Sequence, residues 1–294
     1  MKLTAKTKLN LNRTLFLGAS IIITFLFIIL PLFYAVYMSF QGGRGADTSY
    51  VGLENFKRLF TDEYIRKALI NNVLVAIVIV PIVLVLSVIL ANAINKVKSP
   101  RLKGIFSCIL FFPSITSPVA YAFFFRRAFL PDGILNQIFG GLNLIDEPIN
   151  LLLTETGAQI AIAFVCIWAW IGFHTLLFLS SMQNTDPLLY KAARVDGTNV
   201  IQSFFRITLP SIKHIIVFSS ILLLGSAFQL FAEVSIISKG GPGGATLTLA
   251  YYIYRICFEY VPQFGYAAAI GILIFVISAV ISFVQLKAGG KNAH

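Results

Sequence analysis

The sequence predicts an all-α, polytopic membrane protein with six transmembrane helices. Three observations carry that expectation. The 294 residues are 57% hydrophobic and only 12% charged, against roughly 25% charged residues in soluble domains. Six apolar stretches are long enough to cross a bilayer, which takes about 20 helical residues. Lysine and arginine are also unevenly shared between the segments that join these stretches. The expected spans are 15–40, 68–94, 104–125, 158–182, 211–237 and 265–286, all within one six-helix membrane domain of residues 15–287.

Residues 1–14 are short and basic, with Lys2, Lys6, Lys8 and Arg13. The uncharged run 15–40 is longer than a signal-peptide core of about 7–15 residues, so it reads as an uncleaved first span, kinked at Pro31. Segment 41–67 is polar and contains VGLENFKRLF, where Phe56, Leu59 and Phe60 suit a short interfacial helix. Span two carries Asn71 and Asn72 near its start and Pro81 inside it, and the tight loop 95–103 is basic. Span three holds Pro113, Ser114, Thr116, Ser117 and Pro118 within six residues. A helix so interrupted is expected to be broken, with its hydroxyls satisfying freed carbonyls. An outer loop at 126–157 leads to span four, which bears Trp168, Trp170 and His174.

A polar island at 185–210 follows. Asp186 is placed to cap a helix, and Pro187 suits its first turn, where a missing N–H is not needed. Asp196-Gly197 stops that helix, with Gly197 free to turn left-handed. Thr198 or Asn199 then caps a second helix with Val200, Phe204 and Ile207 on one side, expected to end before Pro210. Span five carries Gln229 and Glu233. A second polar excursion, 238–264, contains KGGPGGAT and YYIYRICFEY.

Six spans put both termini on one side. That side collects 14 lysines and arginines with two acids; the other has nine of each sign. The positive-inside rule therefore predicts cytoplasmic termini, residues 1–14 and 288–294, and a cytoplasmic island 185–210. The net charge of +11 is thus an orientation signal whose nearest partner is anionic lipid, and no nucleic acid binding is expected. Cys108 and Cys166 read as packing residues, with no disulfide framework. No P-loop, H-E-x-x-H or G-x-S-x-G motif is present, so the chain is not expected to be an enzyme or to bind ATP itself. Its polar residues within the spans carry the open questions. Glu233 is either hydrated near the outer mouth or turned into the bundle. His174 is either an interhelical hydrogen-bonder or a substrate contact. Trp168 and Trp170 are either packing anchors or a stacking surface.

The run LYKAARVDGTNVIQSFFRITLP closely resembles the "EAA" loop of permease subunits of bacterial ABC importers, with Ala192, Ala193, Asp196, Gly197, Phe204 or Phe205, Ile207, Leu209 and Pro210 on its pattern. VGLENFKRLF and SKGGPGGATLTLAYYIYRICF resemble the carbohydrate-uptake branch, in its maltose-transporter-type first permease. The resemblance covers about 15–287. It implies a type I ABC importer transmembrane domain in the bacterial cytoplasmic (inner) membrane. Implied partners are a second permease, two ABC ATPase subunits and an extracytoplasmic solute-binding protein that delivers a sugar. No cofactor is implied in this chain, since ATP and Mg belong to the ATPases. The coupling loop would dock in an ATPase groove through Leu189, Tyr190, Lys191, Ala192, Ala193, Asp196, Gly197, Phe204 and Pro210. Lys191 replaces the family's glutamate, a reversal of charge. By position, the family's sugar path suggests Ser114, Ser117, Trp170, Phe173, His174, Ser226, Gln229 and Glu233, residue types that stack on sugar rings and bond hydroxyls. Alternatives are an importer permease for a non-sugar solute such as glycerol phosphate, or a stand-alone secondary transporter.

Overall fold

The computed structural model describes residues 17–45 and 49–290. The expectation for residues 1–14 falls outside them. Four helices are long and apolar enough to cross a membrane: α1 (Leu17–Ser39), α3 (Glu63–Asn95), α7 (Glu155–Gln183) and α12 (Phe264–Gly290). Two bent pairs bring the number to six if each crosses once. They are α4 (Pro100–Ile115) with α5 (Pro118–Ala128), bent by 92°, and α9 (Val200–Ser211) with α10 (Lys213–Phe228), bent by 67°. Shorter helices are α2 (Glu54–Thr61), α6 (Ile134–Gly141), α8 (Pro187–Val195) and α11 (Leu249–Tyr254). The strand pair among the described residues is a small hairpin, β1 (Gln41–Gly42) with β2 (Ser49–Tyr50).

Pro31, Pro81 and Pro210 are each preceded by a wide π turn, whereas Pro113 lies within the α-helical α4. Phe25–Ile29, Val75–Ile79 and Phe204–Thr208 each end two residues before a proline: Pro31, Pro81 and Pro210. A proline ring presses on the carbonyl four residues back and offers it no N–H. Those carbonyls belong to Phe27, Ile77 and Arg206, the middle residue of each wide turn. Widening the turn shifts the ladder past the proline. This corrects the expected stop before Pro210: the helix runs on to Ser211 and breaks at Ile212.

The chain divides into two compact units. The described part of the first covers 17–45, 49–62 and 253–273. No residue in the most apolar window of α1 is buried, whereas Ser39 at its end is fully buried. Below it Asn55, within VGLENFKRLF, donates to the Ser39 and Gln41 carbonyls at 2.9 and 2.7 Å. Arg58 lies 3.9 Å over the Tyr266 ring and donates to Gln263, while the Tyr266 hydroxyl donates to Asp62 at 2.7 Å. Phe56 packs on Phe40, but Phe60 is 91% exposed.

In the second unit, 63–252 and 274–290, α7 is the central element. α3 and α4 pack along it. A methyl group at Gly172 would sit 1.8 Å from the Leu110 carbonyl oxygen, so the glycine sets how closely α4 approaches, as small residues do between membrane helices. Val88, Ala91, Ile94, Phe178, Leu179, Met182 and Ile212 form a buried cluster where α3, α7 and the α9–α10 break meet. Cys166 is buried, but Cys108 is exposed and does not pack in the core as expected.

Candidate functional site

Span three breaks at Thr116–Ser117, as its prolines require: Pro118 opens α5, and Thr116 returns its hydroxyl to the Phe112 carbonyl at 2.9 Å. Span five also breaks, which the sequence reading missed. α10 stops at Phe228, and helix resumes at residue 232. Two side chains from elsewhere bond carbonyls at this break. Asn72 donates to Ala227 O at 2.6 Å, and Thr248 donates to Leu230 O at 2.7 Å. Asn72 also accepts from Leu249 N at 3.0 Å. Its neighbour Asn71 donates to the Gly244 and Leu247 carbonyls at 2.8 and 2.9 Å. The asparagine pair thus fastens the KGGPGGAT excursion and the broken span to α3.

Between the two breaks lies a cavity of about 510 Å³. Seven of the eight residues proposed for the path line it: Ser114, Trp170, Phe173, His174, Ser226, Gln229 and Glu233. Ser117, at the span-three break, is exposed and is not among the lining residues. The seven do not all offer free polar groups. Ser114 donates to Ala169 O at 2.9 Å and accepts from Phe173 N at 3.1 Å, so its hydroxyl is inserted into the ladder of α7. His174 is buried, with Nδ1 2.6 Å from Ser219 Oγ, an interhelical bond on a residue that also lines the cavity. Ser226 returns its hydroxyl to Leu222 O at 3.1 Å. Gln229 sits exposed in the break.

Glu233 is 5% exposed, so it is turned into the fold rather than hydrated at a mouth. Its Oε1 accepts from the Tyr121 hydroxyl. Tyr121 was missed at the sequence level. The available signal was its position in PVAYAFFF, one helical turn beyond Ser117 and the only phenol among phenylalanines. Trp168 makes edge contacts with Tyr121 and Phe125, at 5.7 and 5.0 Å between centroids, and so packs behind the phenol. A second cavity, about 240 Å³ beside Leu74, Val78 and Ile160, has a largely apolar wall and lacks the convergent polar groups of a solute site.

The island 185–210 folds as a capped helical pair. Asp186 accepts from Leu188 N at 2.8 Å. At the other end of α8, Thr198 N bonds Ala193 O at 3.0 Å and Gly197 N bonds Arg194 O at 3.2 Å, with Gly197 at φ +72°. These are the two bonds of a Schellman ending. Asn199, rather than Thr198, caps α9, in a reciprocal box with Gln202. Tyr190 reaches Thr208 at 3.0 Å, and Thr185 reaches Ser211 at 3.0 Å, tying the pair to the break above it.

Leu188, Leu189, Val195, Val200, Ile201 and Phe205 are all more than half exposed. Apolar exposure on that scale marks an interaction surface. Lys191, Ala192, Asp196, Gly197 and Pro210 are exposed as well. Ala193 is buried and does not contribute to the exposed face, and Phe204 packs toward the buried cluster while Phe205 points out. Val200, expected beside Phe204 and Ile207, is 64% exposed.

Comparison with known proteins agrees with this architecture. The lactose transport system permease protein LacF of Rhizobium radiobacter is 34% identical over 285 residues, covering 96% of this chain and 95% of that protein. The arabinooligosaccharides transport system permease protein AraP of Bacillus subtilis is 31% identical, covering 93% and 87%. A chain of a bacterial ABC transporter involved in the import of the acidic polysaccharide alginate superposes with a TM-score of 0.83 at 23% identity, over 97% of this chain and 98% of that one. That likeness shows the permease fold. The family model described as "Binding-protein-dependent transport system inner membrane component" matches residues 83–287, and the chain belongs to that family.

Proposed function

We propose that the chain is the translocating permease of an ATP-driven, solute-binding-protein-dependent importer of sugars or oligosaccharides. The observation that carries the proposal is the cavity between the two broken spans, whose wall holds the aromatic Trp170 and Phe173 together with the polar Gln229 and Glu233. Aromatic faces with a few convergent polar groups suit a saccharide. The lactose and arabinooligosaccharide systems of the relatives support the same class. Glycerol phosphate fits less well, because an anion calls for a cation and the residues lining the cavity include neither lysine nor arginine.

The loop 185–210 is the coupling element in this reading. Its apolar face docks on an ATPase subunit, which supplies ATP and Mg chemistry. Ile212, fully buried at the α9–α10 break, passes the movement to α3 and α7. A second permease completes the path, a solute-binding protein delivers the sugar from outside, and both termini lie in the cytoplasm. A glycan panel on the cognate binding protein, followed by ATPase assay of the reconstituted complex, tests the function. At least one saccharide-loaded binding protein is expected to stimulate ATP hydrolysis several-fold. No stimulation by any saccharide would remove the sugar assignment and leave the importer assignment standing.

A further inference from the structure

The wall of the cavity carries an asymmetry of charge. Glu233 is its one carboxylate, and no lysine or arginine is among the lining residues. The acid is also held in a fixed position. Tyr121 donates to Oε1, and Trp168 braces the phenol edge-on. Tyr121 occupies Oε1, and Glu233 itself lines the cavity. Arg126, on α5, donates to the Ile236 carbonyl at 3.0 Å and does not line the cavity.

Resting on the sugar reading above, we propose that Glu233 is the specificity-determining residue of the cavity and selects uncharged saccharides over acidic ones, with Tyr121 as its positioning residue. A fixed carboxylate accepts strong hydrogen bonds from sugar hydroxyls. The same charge repels a uronate carboxylate, and the residues lining the cavity offer no lysine or arginine to offset that repulsion. The breaks on either side help to fix the geometry, since Glu233 lies two residues beyond the span-five interruption, whose carbonyls Asn72 and Thr248 hold.

The test uses the purified permease–ATPase complex without its binding protein, so that only the cavity selects. The probes are the neutral saccharide that stimulates ATPase activity in the panel and the same saccharide oxidised at C6 to the uronate. Equilibrium dialysis is expected to show the uronate bound at least about tenfold more weakly by the wild type. Glu233→Gln is expected to narrow that ratio at least threefold, and Tyr121→Phe to narrow it in the same direction by less. Folding of both variants is checked separately, by recovery of the intact permease–ATPase complex on purification and by its thermal midpoint. Equal binding of the two probes by the wild type, or a ratio unmoved by Glu233→Gln while the neutral probe still binds, overturns the inference alone. If no saccharide stimulates the complex, the sugar reading fails first and the inference with it.

Discussion

Gly172 illustrates how much one missing methyl group controls. Its hydrogen faces the Leu110 backbone, and an added Cβ would lie 1.8 Å from that carbonyl oxygen. Because the opposing group is backbone, α4 must move as a whole to admit a side chain. Gly172→Ala is therefore expected to destabilise the packed pair by about 1–3 kcal/mol and to lower the thermal midpoint of the detergent-solubilised complex, with a further loss for Gly172→Val. An unchanged midpoint for both would mean that α4 is not seated on Gly172. Ser114 belongs to the same contact. Its hydroxyl bridges Ala169 O and Phe173 N, so its place on the cavity wall follows from its work between helices. Residue identity told only part of this: a serine near two prolines signals a break, but not which carbonyl its hydroxyl will meet. Glu233 and Tyr121, 112 positions apart, were equally unpairable from the linear chain.

At the scale of the element, the loop 185–210 is where local chemistry and fold agree most closely. Asp186, Pro187, Gly197 and Asn199 each do in the structure what their residue types favour at helix ends, because capping is decided within a few residues. Gly197 has open space around it, so its left-handed φ alone makes a substitution costly. Gly197→Val is expected to lose about 1–2 kcal/mol locally and to uncouple ATP hydrolysis from uptake. The exposed leucines lead to a sharper expectation. Leu188→Asp with Leu189→Asp should lower ATPase co-purification at least tenfold while the permease pair stays folded. Lys191→Glu, at an exposed position, should leave both co-purification and uptake within about twofold. The opposite pattern, with Lys191→Glu disruptive and the leucine variant silent, would put the docking energy in charge rather than in the apolar face. The π turns before Pro31, Pro81 and Pro210 are a second lesson at this scale. A proline marks the site of distortion reliably, but whether the helix stops, kinks or widens depends on what its neighbours hold in place.

For the whole molecule, the positive-inside rule predicts an orientation from charge, and that prediction can be measured. Val195 is 88% exposed at the end of α8. In a background with Cys108, Cys166 and Cys257 replaced by serine, Val195→Cys is expected to react with a membrane-impermeant maleimide in inside-out vesicles and not in right-side-out vesicles. Labelling from the outside would invert the topology and exclude an ATPase at this loop. The all-α class, the apolar spans, the uneven sharing of lysine and arginine between the connecting segments and the helix signals of 185–210 were legible in the sequence alone. They depend on composition, periodicity and short-range capping, all of which act within about a helical turn or over the length of one bilayer crossing. Only the tertiary structure decided that span five is interrupted beside Glu233, that Asn72 and Thr248 bond the carbonyls at that break, that Tyr121 holds the acid, and that Ala193 turns inward while Phe205 turns out. Each of these depends on which distant backbone or side chain fills a given space, and buried polar groups accept whichever partner the packing brings within hydrogen-bond reach.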